Sequence, residues 1–310
     1  GAVEAALGVY EDMQRRGDGV DGWTYVNLIE SLLKGGEHDH AMGMCDQMTR
    51  QGMANDEKVC TRLMMLCGRC KDWQRALNVY LQLSQRKERE PERDELNVIT
   101  YTAIITVLGR CKQWQQAVQV FEDMKKAGVR GNVVLYGSLI SALSAASTNQ
   151  QPRVRHLLHE MQEIGLSPDL PIYNTILNAC RKQGNLQCAV GLFEELKARG
   201  LQADVLTYNN LIGTCQKRGK WQFALQLLDE MKEAGVQANS VTVQRAMRCC
   251  AGGGRPELAV ELAVEVFRGA PTQQDVRPDT DTLAVLLKVL TMQDAKVNTA
   301  VHLLHAMRGW

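Results

Sequence analysis

Neither sign of charge dominates this sequence: 36 lysines and arginines stand against 35 aspartates and glutamates, a formal net charge of +1. Evenly mixed, that balance would argue against a nucleic-acid binder, but totals do not say whether the charges are mixed or sorted onto separate faces. No run is apolar enough to span a membrane, so no membrane partner is expected. A basic, apolar leader is also missing, because GAVEAALGVYEDM opens directly as an amphipathic helix. Any targeting sequence is therefore expected outside these residues, or not at all. The ten cysteines lack regular pairing, which fits a reducing compartment better than a disulfide scaffold. Convincing strands are absent, and with them a glycine-rich phosphate loop; GGGRP at Gly252 reads as an interhelical turn. Without paired carboxylates or a nucleophile motif, the reading is of a non-enzyme with no cofactor.

Metal sites fail on the same ground. Cys67 and Cys70 in CGRC look like half of a zinc or redox motif, but no second ligand pair follows. Cys180, Cys215 and Cys250 share the repeat position of Cys67, and Cys111 that of Cys70, so buried cysteine between helices is the better reading. His156 with His159, and His302 with His305, lie three apart on helices with no third ligand near, and read as solvated histidines.

What the sequence does have is a period. Aligning Ala41, Ala76, Ala117, Ala189 and Ala224 places Gly52, Gly128, Gly200 and Gly235 each eleven residues after its alanine. The resulting units run 22–56, 57–97, 98–132, 133–169, 170–204, 205–239 and 240–279, with fragments at 1–21 and 280–310. In the unit from Val205, Tyr208, Leu211, Ile212 and Cys215 follow the i, i+3, i+4, i+7 spacing of one helical face, and Ala224, Leu227, Leu228 and Met231 repeat it. Gly235 suits a left-handed cap after the second helix. Each unit is thus a helical hairpin, and one hairpin cannot bury both stripes alone. The expected fold is all-α, an α-solenoid of stacked helix-turn-helix repeats of about 35 residues. Insertions fall where hairpins tolerate them: RKEREPERDEL from Arg86, SAASTNQQP from Ser144 and GAPTQQDVRPD from Gly269. Because the chain begins inside a second helix and stops just after one, it is expected to be a segment of a longer solenoid.

With Tyr208 as position 4 of its unit, positions 2, 5, 9 and 13 cluster opposite the apolar stripe and are expected to form a continuous exposed face. Position 13 is basic in five of seven units, as Lys34, Arg69, Arg110, Lys182 and Lys217, while acidic pairs such as Glu194 and Glu195 collect on second helices. A basic stripe is the footprint of a phosphate backbone, although cations near a helix C-terminus also suit the macrodipole. Position 2 is Trp23, Lys58, Ile99, Val134, Pro171, Leu206 and Val241, mostly apolar on a polar face. That suits stacked bases, or else burial between units. Position 5 is Val26, Thr61, Thr102, Gly137, Asn174, Asn209 and Gln244, of which the asparagines and threonines are residues that an exposed helix interior does not favour. Each unit ends in Asp or Asn, a preferred N-cap for the helix that follows, yet capping does not explain which unit has which.

A tyrosine with Asn or Thr near the start of a 35-residue unit, alanine at 20, EEL or DEM before the glycine, and a terminal Asp or Asn resemble the pentatricopeptide repeat family over essentially the whole chain. The resemblance implies a right-handed superhelix that binds single-stranded RNA in mitochondria or chloroplasts, one base per unit. It implies base reading by residue 5 with the last residue of the unit, base packing by residue 2 (Ile99, Val134, Leu206, Val241), and phosphate contact by residue 13. Thr61 with Asn97 and Thr102 with Asn132 would favour adenine, Asn174 with Asp204 uracil, and Asn209 with Asn239 cytosine. Val26 with Asp56, Gly137 with Asp169 and Gln244 with Asp279 depart from the family pattern, so the implied target is 5′-NAANUCN-3′. Unit lengths resemble the pure type of the family, whose members protect, process or activate translation of particular transcripts. A scaffold subunit of a ribosome or another ribonucleoprotein is the alternative.

Overall fold

Six of the predicted unit ends, Asp56, Asn97, Asn132, Asp169, Asp204 and Asn239, each cap a helix, their side chains accepting the second or third backbone N–H of the first turn. The computed structural model describes residues 21–52, 56–89, 96–146 and 150–268, the side chains of 87–89 and 263–268 excepted, and isolated positions before 21 and at 284. The fragment at 280–310, the insertion from Gly269, Asp279, His302 and His305 lie outside the described residues.

All the regular structure described is helical, in two compact units, Gly1–Pro168 and Asp169–Trp310. The first contains α1 (Gly22–Lys34), α2 (His38–Arg50), α3 (Glu57–Arg69), α4 (Trp73–Arg89), α5 (Val98–Arg110), α6 (Trp114–Lys126), α7 (Val133–Ser144) and α8 (Gln151–Glu163). The second contains α9 (Leu170–Gln183), α10 (Leu186–Ala198), α11 (Val205–Arg218), α12 (Trp221–Glu233), α13 (Ser240–Gly252) and α14 (Pro256–Arg268). Within each unit the odd-numbered helices lie side by side, and each packs on the even-numbered helix that follows it. The fold class is the all-α solenoid of stacked helical hairpins. One boundary differs from the expectation: α4 runs on through Arg89, so the insertion from Arg86 begins as helix rather than as an exit loop. Its long polar side chains are good helix formers, and the periodic stripe alone gave no reason to extend the helix past the core.

The interhelical turn has a fixed backbone requirement. Position 15 is left-handed in Gly36, Lys71, Lys112, Gly184, Gly219 and Gly254. The N–H of the next residue closes back on the first helix, as in Gln113 to the Leu108 carbonyl at 2.8 Å and Lys220 to the Cys215 carbonyl at 3.1 Å. Glycine meets that requirement without strain; Lys71 and Lys112 hold it against the Cβ penalty.

The predicted stripes form the core. Tyr208, Leu211, Ile212 and Cys215 are buried, as are Ala224, Leu227, Leu228 and Met231. Aromatic edges join one hairpin to the next, with Phe121 against Tyr136 at 5.3 Å and Phe193 against Tyr208 at 5.7 Å. The buried tyrosine hydroxyls are satisfied from the second helix of the same hairpin: Tyr136 donates to Glu160 and Tyr173 to Glu195, each at 2.8 Å. Cys67, Cys180, Cys215 and Cys250 are buried, and burial pushes the Cys215 thiol up to about 12 and Cys250 to about 11. In CGRC the two thiols diverge: Cys67 is buried in the core, while half-buried Cys70 faces Nδ1 of His38 at 3.7 Å.

Candidate nucleic-acid interface

Position 5 does not lie on an open face. Val26 is buried, Asn174 and Asn209 are only 6% and 5% exposed, and Thr61, Thr102, Gly137 and Gln244 are half-buried. The helical wheel gives orientation about one axis only; at Asn174 and Asn209 the neighbouring odd-numbered helix brings its N-cap within hydrogen-bond reach. In the second unit the presumed pairs meet directly. The Asn174 amide donates to Asp204 Oδ1 at 3.1 Å and Oδ2 at 3.3 Å, and the Asn209 amide donates to Asn239 Oδ1 at 3.3 Å.

The capping bonds fix which way these amides point. Asn239 Oδ1 already accepts the Thr242 backbone N–H at 3.0 Å and the Thr242 hydroxyl at 2.9 Å, so the group of Asn209 that faces it must be the NH2. Asn209 Oδ1 is thereby aimed away from the cap, and it is buried with no hydrogen-bond partner among the described residues. An orphaned buried carbonyl costs about 1–3 kcal/mol, so it needs a reason. Asn174 differs: its Oδ1 shares the single Thr207 hydroxyl proton with Asp204 Oδ1, each at 2.8 Å. Burial would raise Asp204, but hydrogen bonds from the Thr207 N–H and hydroxyl, the Asn174 amide and the Leu206 N–H outweigh it and hold the carboxyl below its ordinary value. Asp204 is therefore an acceptor only at neutral pH, where Asn239 offers an NH2.

The threonine pairs of the first unit are built otherwise. Thr61 and Thr102 donate their hydroxyl protons back to the Glu57 and Val98 carbonyls at 2.8 and 2.6 Å; the Thr61 oxygen also meets the Thr100 hydroxyl at 3.0 Å, and Thr102 is left with its lone pairs to present. Asn97 and Asn132 spend Oδ1 on their caps and make no direct bond to these threonines among the described residues.

Position 2 resolves in favour of exposure. Ile99, Val134, Leu206 and Val241 are between 38% and 65% exposed, and Trp23 is exposed with them, so burial between units is ruled out for these residues. At position 13, Arg110, Lys182 and Lys217 are exposed, and the Lys217 ammonium donates to the Lys182 carbonyl one repeat away. Lys34 and Arg69 instead reach Glu30 at 3.6 and 3.8 Å, and Arg62 meets the same carboxylate at 2.5 Å. The hydrogen bond from Arg62 outweighs burial and, with the three cations, holds the Glu30 carboxyl below its ordinary range. Second helices are also less purely acidic than expected: Lys125 bridges to Glu160 at 3.3 Å and Lys197 to Glu230 at 3.2 Å.

This arrangement offers rows of apolar side chains, hydrogen-bonding pairs beside them and cations at the rim, with no metal-binding group of three or more His, Cys, Asp or Glu among the described residues. If the rim cations meet phosphate, Glu30→Gln should tighten binding of any single-stranded RNA and steepen its salt dependence, because Lys34, Arg62 and Arg69 are released. A salt titration of both proteins checks this.

Comparison with known proteins follows the same lines. The family model described as the pentacotripeptide-repeat region of PRORP matches residues 47–220, and PPR repeat models match 23–53 and 203–252. A pentatricopeptide repeat-containing protein of Arabidopsis thaliana is 25% identical over 189 residues, 61% of this chain and 29% of that relative. A second from the same plant, described as chloroplastic, is 23% identical over 141 residues, 46% of this chain and 15% of its own length. The chain therefore spans under a third of the length of these relatives. Among solved structures, PPR10 in complex with an 18-nucleotide psaJ RNA element is 24% identical, with a TM-score of 0.63, covering 98% of this chain and 40% of that one. The PPR domain of Arabidopsis protein-only RNase P 1 in complex with tRNA is 13% identical, with a TM-score of 0.50, covering 60% of this chain and 95% of that one.

Proposed function

We propose, of a chain that belongs to the pentatricopeptide repeat family, that it binds single-stranded RNA sequence-selectively as part of an organellar protein acting in transcript stabilisation, processing or translation. The observation that carries this reading is the orphaned Asn209 carbonyl, buried beside the Asn239 amide with exposed Leu206 and Val241 flanking the pair. A base resting on those apolar side chains would bring a donor to that carbonyl and an acceptor to the Asn239 NH2, the pattern of a cytosine Watson–Crick edge. At the preceding unit Asp204 replaces a donor by an acceptor, which suits the N3–H of uracil. Thr61 with Asn97 and Thr102 with Asn132 are assigned adenine, Ile99 and Val134 base packing, and Arg110, Lys182 and Lys217 phosphate. The register 22–279 is taken as seven full repeats of one array. Two similar solved structures are described with RNA partners, PPR10 with an RNA element and RNase P 1 with tRNA, and one relative is described as chloroplastic; these support the RNA and organellar parts of the reading.

Crosslinking the native protein in its organelle and sequencing the attached RNA tests the assignment. Enrichment of a single-stranded segment matching AANUC is expected. Recovery of no RNA above a mock control would overturn it and leave a protein-binding scaffold.

A further inference from the structure

A lateral contact recurs between neighbouring odd-numbered helices, from position 9 of one repeat to position 6 of the next. It is Glu30 with Arg62 in α1 and α3, an ion pair, and Thr106 with Ser138 in α5 and α7, a hydrogen bond of 3.0 Å. In α11 and α13 the same contact is Gly213 with Arg245, so the arginine there faces no counterpart of the carboxylate that neutralises Arg62. A second arginine reaches the same notch from α9. A Cβ on Gly213 would lie 2.7 Å from Cδ of Arg181 and 3.5 Å from Cδ of Arg245, so both stems cross this glycine and a larger residue would push the Arg181 stem aside.

Neither guanidinium has an anionic partner among the described residues. Arg245 donates to the backbone carbonyl of Asn209, and Arg181 donates to Asn178 Oδ1 at 2.7 Å while its Nε is buried with no partner. Burial, and then the nearby Arg181 charge, lower the pKa of Arg245. Two cations held together, half-buried, without a carboxylate, form a charge-deficient pocket that an anion relieves. Arginine forks match the geometry of phosphate oxygens. Since Arg245 touches the backbone of Asn209 itself, this anion site adjoins the presumed base-reading pair rather than the outer rim of Lys182 and Lys217.

We propose that Arg181 and Arg245, converging over Gly213, bind a backbone phosphate of the RNA at the Asn174 and Asn209 units. The proposal rests on the RNA-binding reading and adds an inner phosphate contact at positions 12 and 6 that the repeat register does not predict.

The test uses the full chain with Arg181→Gln, Arg245→Gln and both together, a double Arg→Lys variant, and a short RNA containing AANUC. The salt slope of log affinity should fall by about 0.7 for each phosphate no longer neutralised, with affinity at low salt roughly fivefold weaker for AANUC and permuted RNAs alike. The Arg→Lys variant should keep the slope, since it keeps the charge. Thermal melting of the Arg→Gln variants should be no lower than that of the parent, because they remove a repulsion. A neutral methylphosphonate at the linkage between the U and C nucleotides should weaken binding of the parent but add nothing to the double Arg→Gln variant. If the parent binds RNA with its sequence preference while the double variant keeps both affinity and slope, this inference falls alone. If the parent binds no RNA, the RNA-binding reading falls first.

Discussion

Replacing Asn209 by threonine is expected to move the base preference of that unit from cytosine to adenine, a change of roughly tenfold or more in the ratio of affinities, given ~1–3 kcal/mol for a well-made base contact. Cytosine and adenine carry the same pattern on their Watson–Crick edges, an exocyclic amine beside an unprotonated ring nitrogen. The Asn209 carbonyl and Asn239 NH2 complement that pattern as acceptor and donor. What separates the two bases is size. Threonine is one heavy atom shorter than asparagine, and Thr61 and Thr102 show where its hydroxyl goes: the proton returns to a carbonyl four residues back, and the oxygen is left as an acceptor. The substituted unit keeps the acceptor, moves it away from the base and makes room for a purine. Four short RNAs that differ only at that nucleotide, each titrated against both proteins, give the measurement.

Ile212→Ala is expected to destabilise the second unit by about 2–5 kcal/mol. Ile212 is fully buried on α11, the helix that packs against α9, α12 and α13. Removing its side-chain carbons leaves a cavity bounded by helices that are held in place by their own caps and turns, so the site collapses only partly. In a stack of repeats each hairpin is stabilised chiefly by its neighbours, so the loss spreads to both interfaces of that repeat. Urea denaturation followed by circular dichroism should show a lower midpoint and a broader transition. An unfolding free energy within about 0.5 kcal/mol of the parent's would contradict the assignment of this residue to the core.

The fold was legible because its determinants repeat. Tyr208, Leu211, Ile212 and Cys215 recur at helical spacing in unit after unit, and each terminal Asp or Asn announces the next helix through its side-chain chemistry. The orientation of position 5 was not legible. A helical wheel turns Asn209 about 100° away from Tyr208 and off the apolar stripe, but whether that side faces water or the next helix depends on contacts some 30 residues away, as with Asn239. The same holds for Glu30, which gathers Arg62 and Arg69 from the next odd-numbered helix. Position 13 alone therefore does not separate Lys34 and Arg69 from Lys182 and Lys217. Arg181 and Arg245 carry no periodic signal, because they stand at different repeat positions and meet only across Gly213. The one hint in the sequence is a glycine at position 9 of an otherwise unbroken helix, where its low helix propensity calls for a packing reason.

The central claim, that paired side chains on successive repeats read the bases of single-stranded RNA, is tested most directly by comparing two RNAs of identical composition. One contains AANUC; the other has those bases permuted. The account predicts that the first binds at least roughly tenfold more tightly, because permutation mismatches several units at once, and that both weaken as salt is raised. Equal affinity for the two RNAs would contradict it.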